Sequence, residues 1–149
     1  MIDFPKEITD KTLPNFLRAG AVIKTEVVFP DGGQKIKRLV VLTNNNDEII
    51  LAATATSNIL SSSRYYGYDD IFVDINKEKM FDKDTFIQLN RVIEIPLEKL
   101  KCQYHRKELE ILGNVSDELL LKMYAKIDKS KMIERKYINR IINEKLPTP

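Results

Sequence analysis

Three short runs of apolar and β-branched residues, joined by two polar turns, occupy residues 21–53. The first run, Ala21 to Phe29, is rich in β-branched residues, and the Pro-Asp-Gly-Gly sequence at 30–33 is a strong turn signal. The second run, Lys35 to Thr43, is continuously apolar in its latter half, as expected where both faces of a strand are buried. A polar turn leads into the third run, Glu48 to Ala53. The pattern predicts an antiparallel meander at the centre of the sheet.

Helical patterns lie before and after these strands. Residues 8–20 predict a short helix that Gly20 ends, because glycine is common just past a helix C-terminus. Ser116 can cap a second helix, whose apolar residues recur at helical spacing up to Ile127. A basic amphipathic helix follows at about 130–145. The chain is therefore expected to carry helices at both of its ends.

Further short strands are expected between the meander and the C-terminal helices. Residues 71–75 form one apolar run, and residues 85–95 predict either two strands or one bent strand, closed by Pro96. No helix separates the central strands, so the pattern indicates an α+β fold rather than an α/β fold. We predict a small, strongly bent antiparallel β-barrel with a short N-terminal helix and C-terminal helices.

The composition fits a single domain over residues 1–149 and excludes several functional classes. Cys102 is the one cysteine and His105 the one histidine, which excludes a disulfide framework, a multi-thiolate zinc site and the two-histidine metal motifs. We expect no metal and no cofactor. No apolar run is long enough for a membrane helix, and the N-terminus lacks the apolar core of a signal peptide. We therefore expect a cytoplasmic protein that has no membrane partner.

Positive charge concentrates near the C-terminus, although the whole chain has a net charge of only +2. Between residues 122 and 145, eight lysines and arginines stand against three acidic residues, an excess of five positive charges. Such a segment favours an anionic partner, and it is also typical of a solvated helix face. The apolar side of the helix needs cover, which its own barrel can supply.

Two places along the chain carry residues that core packing alone does not explain. Arg38 lies in an otherwise apolar strand, on the face of Ile36 and Val40. It is either at an exposed strand start or directed at a partner charge. Thr56 and Ser57 directly follow an apolar strand, where their hydroxyls can point into a cleft.

An arginine and three tyrosines share the polar loop that follows, at Arg64, Tyr65, Tyr66 and Tyr68. Aromatic rings interleaved with cations bind single-stranded nucleic acid, where stacking contributes about 1–3 kcal/mol per base. The alternative is that one or two of these tyrosines cover the end of the barrel. The loop therefore has an RNA-binding and a structural interpretation.

Four segments, taken in order, resemble motifs of the MazF/PemK toxin family. They are the strand opened by Gly20 with its hairpin partner Lys35 to Leu42, the strand Ile49 to Ser57, the strand pair Thr85 to Ile95, and the segment Glu108 to Ile127. In that family a basic residue and an arginine precede an apolar strand, and the next strand ends in Thr-Ser. A C-terminal helix carries Gly-x-x-Ser/Thr-x-Glu. The resemblance covers about residues 20–128, and the helix at 130–145 is an addition to it.

The resemblance implies an SH3-like barrel that acts as a homodimer and cleaves single-stranded RNA at selected sequences. Such a protein is the toxin of a toxin–antitoxin pair, and an antitoxin protein neutralises it. Cleavage in this family needs no metal, because the 2′-hydroxyl of the RNA is the nucleophile. The resemblance thus predicts an endoribonuclease whose partners are RNA, an antitoxin and a second copy of the chain.

The family's catalytic arginine corresponds to Arg38 and its threonine to Thr56, with Ser57 beside it. Arg38 is expected to stabilise the charge that develops on the pentacovalent phosphate. An arginine is a poor proton donor because its pKa exceeds about 12. Thr56 is expected to hydrogen-bond a phosphate oxygen. The residues expected to bind RNA are Lys35, Lys37, Arg64, Tyr65, Tyr66 and Tyr68.

The sequence also departs from the family pattern. Leu39 stands where the family usually has a proline after the arginine. The Ala-Ala-Thr-Ala-Thr stretch leaves the register of the threonine open, because Thr54 lies on the same strand face as Thr56. The alternative to an enzyme is a non-catalytic barrel of the same family that binds nucleic acid or, like the gyrase poisons, a protein.

Overall fold

Six strands form one antiparallel sheet within the part of the chain that the computed structural model describes, residues 17–28, 32–44, 48–56 and 70–144. The strands are β1 (Ala21–Val28), β2 (Gln34–Val41), β3 (Ile49–Thr56), β4 (Asp70–Val73), β5 (Thr85–Pro96) and β6 (Glu110–Asn114). Their order across the sheet is β4-β5-β3-β2-β1-β6. The predicted meander is confirmed, since β1, β2 and β3 are neighbours and pair antiparallel.

Within the described ranges, three helices pack on this sheet: α1 (Leu97–His105), α2 (Asp117–Lys129) and α3 (Arg135–Glu144). The predicted cap of α2 is confirmed, because the hydroxyl of Ser116 accepts a hydrogen bond from the backbone N–H of Leu119 at 3.2 Å. Helix α1 was not predicted. Strand β6, which precedes α2 and forms an edge of the sheet, was not predicted either.

Each face of the sheet carries its own hydrophobic core, because successive residues of a strand point to opposite faces. One core includes Val40 and Ala53 of the sheet together with residues of α2 and α3, and we call this side the α2/α3 face. The other includes Leu39 and Ala52 of the sheet together with Leu100 of α1, and we call this side the α1 face. Burial of both faces explains the continuous apolar runs of β2 and β3.

Strand β5 is one bent strand, which decides between the two predicted alternatives. Ala53 of β3 pairs with Val92, whereas the next residue, Thr54, pairs with Gln88. Residues 89–91 are therefore extra on the β5 side. A bulge of this kind bends a strand. The N-terminal half of β5 also pairs with β4, so the bend carries β4 with it and curls the sheet into a half-barrel.

A buried carboxylate ties the β4–β5 connection to the start of α2. Glu78 is only 3% exposed, and its two oxygens accept hydrogen bonds from the backbone N–H of Ser116 at 2.6 Å and from the hydroxyl of Ser116 at 2.8 Å. A negative charge at a helix N-terminus is stabilised by the helix dipole. This contact joins the β4–β5 connection to the segment between β6 and α2.

Several predicted features lie outside the described residues. They are most of the N-terminal helix, the Pro30-Asp31 part of the first turn, Ser57, Arg64, Tyr65, Tyr66 and Tyr68. Gly20, the predicted end of that helix, is described and has a positive φ of 96°, which suits glycine. Among the described helices, none has the length and apolar character needed to cross a membrane.

Candidate functional site around Arg38

Arg38 lies where β2 changes from an exposed to a buried strand. The residues before it are polar or exposed, and the three after it are buried. Its direct neighbours across the sheet are Lys24 on β1 and Ala55 on β3. Residues that pair directly share a face, so Arg38 is on the α2/α3 face, as Val40 and Ala55 are. Arg38 therefore sits at the rim of that core.

The guanidinium of Arg38 already contacts an anion. Its Nη2 atom is 3.7 Å from Oδ1 of Asp82, with 32% of the Arg38 side chain and 71% of the Asp82 side chain exposed. The Nε atom of Arg38 is buried and has no hydrogen-bond partner among the residues that the structure describes. Buried polar atoms normally have a partner. With 32% of its side chain exposed, the guanidinium can still be reached by a second anionic group, such as a phosphate.

The two candidate threonines lie on the other side of the sheet. Thr54 is only 4% exposed and donates its hydroxyl to Oε1 of Gln88 at 3.0 Å, while Thr56 is half-buried and pairs with Phe86. Both flank Ala55, which faces α2 and α3, so both point to the α1 face. The structure does not bring Arg38 and Thr56 to the same face of the sheet.

The two predicted lysines share the face of Thr56 rather than that of Arg38. Lys37 pairs with Thr25, and Lys35 pairs with Val27, which belongs to the core under α1. The register that pairs Arg38 with Ala55 places Lys37 across from Thr56. Thr56, Lys37 and Lys35 thus form a polar group at one end of the α1 face.

An aromatic pair that the sequence analysis missed lies beside this group. Phe72 of β4 pairs with Phe86 of β5, and their ring centroids are 5.1 Å apart at an angle of 59°. Phe72 is 52% exposed. The alternation of Asp-Ile-Phe-Val signals an outward Phe72, but its partner depends on a strand pairing that the sequence does not specify. Asp82, the contact of Arg38, was missed for the same reason.

Helix α3 packs on its own barrel through the apolar residues Ile138 and Ile141, which are buried. Its basic residues also bind the sheet: Arg140 donates to the backbone carbonyl of Ile49, and Lys136 lies 3.9 Å from the carboxylate of Glu94. The hydroxyl of Tyr137 donates to Glu94 at 2.8 Å, and this hydrogen bond raises the pKa of Tyr137 to about 12. Part of the basic segment is therefore structural.

The described residues show no group of three or more histidine, cysteine, aspartate or glutamate side chains placed to hold a metal ion. What they do show is an arginine with an anion contact at the rim of one core, and lysines, threonines and aromatic rings at the end of the other. Cations and stacking surfaces of this kind suit a polyanionic ligand with aromatic groups.

These elements define an α+β protein built on a curled antiparallel half-barrel with helices on both faces, which confirms the predicted class of fold. No family model matches the chain, and no curated protein matches it. Among solved structures, it is similar to an endoribonuclease in complex with its cognate antitoxin from a mycobacterial species, with 11% sequence identity and a TM-score of 0.51. The match covers 91% of this chain and 99% of that one. At this identity the likeness concerns the fold.

Proposed function

We propose that this protein is an endoribonuclease of the MazF/PemK type, the toxin of a toxin–antitoxin pair, that cleaves single-stranded RNA at selected sequences in the cytoplasm. The observation that carries the proposal is Arg38, whose guanidinium contacts a carboxylate and is partly exposed at the rim of a core. The shared fold with an endoribonuclease supports the proposal. So does the order of the sequence motifs over about residues 20–128.

The reaction uses the RNA's own 2′-oxygen and requires no metal. This oxygen loses its proton and attacks the adjacent phosphorus, and the bond from phosphorus to the 5′-oxygen of the next nucleotide breaks. The products are a 2′,3′-cyclic phosphate and a 5′-hydroxyl, which takes up a proton. Arg38 stabilises the extra negative charge on the phosphate oxygens in the transition state. Thr56 and Ser57, with Lys35, Lys37 and the loop of Arg64, Tyr65, Tyr66 and Tyr68, bind the RNA.

Two protein partners belong to this proposal. The similar structure holds an endoribonuclease with its antitoxin, which supports an antitoxin for this chain too. The exposed basic residues of α2 and α3 favour an acidic partner segment. We also propose a homodimer, in which residues of both copies line a groove for the RNA.

One observation favours the non-catalytic alternative, a barrel of the same family that binds a protein or nucleic acid without cleaving it. Ala55, whose side chain has no polar atom, lies directly opposite Arg38, while Thr54 and Thr56 point to the other face. In this alternative Arg38 binds an anionic partner and performs no chemistry.

Incubation with single-stranded RNA in EDTA separates the two candidates. The endonuclease produces fragments that end in a 2′,3′-cyclic phosphate, identified by mass spectrometry. The matched control is an RNA with a single 2′-deoxy nucleotide at the cleaved position, which lacks the nucleophile and stays intact there. Binding without cleavage by the folded protein, over a panel of RNAs of varied sequence, would establish the non-catalytic alternative.

A further inference from the structure

Four side chains form a row across the α1 face, from the edge of the sheet inward. Phe72 on β4 pairs with Phe86 on β5, and Phe86 pairs with Thr56 on β3. The register of β2 and β3 then places Lys37 across from Thr56. Neighbouring strands lie about 4.8 Å apart, so the row spans about 14 Å. It runs from an aromatic end to a cationic end.

The aromatic end has the features of a stacking surface. Phe86 is half-buried and contacts the ring of Phe72 in a tilted arrangement at 5.1 Å, which holds the second ring in place. Phe72 is 52% exposed although it is a large apolar residue. Exposed aromatic rings on a sheet are sites where unpaired bases stack, and stacking tolerates any base because every base has a π-face.

The polar residues give the row a direction. Lys37 lies at its inner end, and Lys35 follows on the same face two residues earlier. A phosphate is therefore attracted toward the lysines at the inner end of the row. Gln88 accepts the hydroxyl of Thr54 with Oε1, so its Nε2 group is the donor that can meet a base edge.

We propose that this row binds one unpaired nucleotide of the RNA substrate, with its base on Phe72 and its phosphate toward Thr56 and Lys37. The proposal rests on the proposed function for the identity of the ligand. It assigns a nucleotide-binding role to the α1 face, which is separate from Arg38 on the α2/α3 face. RNA that contacts both sets of residues passes around the end of the sheet between them.

The test measures the affinity of a fully 2′-O-methylated single-stranded RNA, which cannot be cleaved, by fluorescence anisotropy. Phe72→Ala is expected to weaken binding about tenfold, and Phe72→Tyr, which keeps the ring, to stay within about twofold of the natural protein. Leu121→Ala is the matched control, because Leu121 is 63% exposed and lies on α2. Its affinity should not change. Lys37→Met should lower the slope of log affinity against log salt by about one, whereas Phe72→Ala should leave the slope unchanged.

Unchanged affinity of Phe72→Ala, with thermal unfolding confirming the fold, would overturn the row as a binding site. A change from dimer to monomer in this variant would also overturn it, because a second protomer would then cover Phe72. If Phe72→Ala does not fold, a loss of affinity in Phe72→Leu, which keeps apolar volume without the ring, compared with Phe72→Tyr decides the question in its place. Failure of the proposed function looks different: the natural protein would bind RNA without cleaving a 2′-hydroxyl substrate, and the binding measurements on Phe72 would still stand.

Discussion

Replacing Arg38 separates its part in cleavage from its part in the fold. Its partner Asp82 is 71% exposed, and ion pairs of that kind contribute about 0–1 kcal/mol to stability. The Nε atom is buried without a described partner, so its removal leaves no other group without a hydrogen bond. Arg38→Met keeps most of the apolar stem. We therefore expect its melting temperature to change by less than about 4 °C.

The cleavage rate should respond far more strongly. If Arg38 stabilises the charge on the transferring phosphate, Arg38→Ala and Arg38→Met lower the single-turnover rate at least tenfold, or about 1.4 kcal/mol of transition-state stabilisation. Arg38→Lys recovers part of the rate, because an ammonium keeps the charge but not the forked donors. The assay is cleavage of an end-labelled RNA with enzyme in excess. Full activity in folded Arg38→Met would refute the assignment.

A double-mutant cycle with Thr56 tests the geometry itself. Side chains on opposite faces of a sheet diverge, and effects of residues beyond about 7–10 Å without shared partners add within about 0.5 kcal/mol. Thr56→Ala should lower cleavage by the same factor in the natural protein and in Arg38→Ala. Thr54→Ala should leave cleavage nearly normal, because its hydroxyl is engaged with Gln88. A coupling above about 1 kcal/mol between Arg38 and Thr56 would show that both act on one phosphate.

Four further outcomes are expected. Asp82→Asn frees the guanidinium of Arg38 for RNA and should lower the KM by up to about fivefold, while Asp84→Asn serves as a control without effect. An unchanged KM in Asp82→Asn would mean that Asp82 does not compete with RNA for Arg38. Glu78→Gln should lower the free energy of unfolding, measured with urea, by about 1–3 kcal/mol, because a buried, charge-assisted hydrogen-bond acceptor is lost. A loss below about 0.5 kcal/mol would contradict this interpretation. The pKa of Tyr137, about 12 in the fold, lies above its unfolded value of about 10, so the contribution of its hydrogen bond is complete below pH 10 and disappears as the pH rises toward 12. In Tyr137→Phe, the free energy of unfolding should therefore fall less steeply between pH 10 and pH 12. An equally steep fall would show that the hydrogen bond of Tyr137 is not its cause. Light scattering should give a dimer near twice 17.3 kDa with RNA affinity that falls steeply with salt, and a monomer at tens of micromolar would count against the shared groove.

The features that the sequence predicted correctly are those that depend on neighbouring residues. The prediction of the meander follows from apolar, β-branched runs separated by polar turn signals, and that of the start of α2 follows from the cap at Ser116. Helix α1 was missed because it begins directly after a strand at Pro96 and shows one narrow apolar stripe, including Leu100 and Tyr104. Its nine residues are too few for helical periodicity to stand out from the strand pattern before them.

The candidate site depends on how strands pair, and the sequence specifies that pairing poorly. Alternation within β2 correctly assigned Arg38 to the face of Val40. Whether Thr56 shares that face depends on the register between β2 and β3, which the sequence does not specify. The contacts of Arg38 with Asp82 and of Phe72 with Phe86 join segments that are separated along the chain. Motif order made Arg38 a candidate but could not predict which residues contact it.

In β5, the number of extra residues in the bulge, odd or even, decides which face of the sheet each half of the strand buries. Ile87 faces α2 and α3, whereas Ile93 and Ile95 face α1, although all three have odd numbers. The three extra residues at 89–91 cause this exchange of faces. An insertion or deletion of one residue there would turn one half of the strand over and expose its apolar side, while a change of two residues would preserve both faces. Natural relatives of this chain should therefore differ in length at the bulge by even numbers of residues. Engineered variants should fold when two residues are inserted or deleted there, and not when one is.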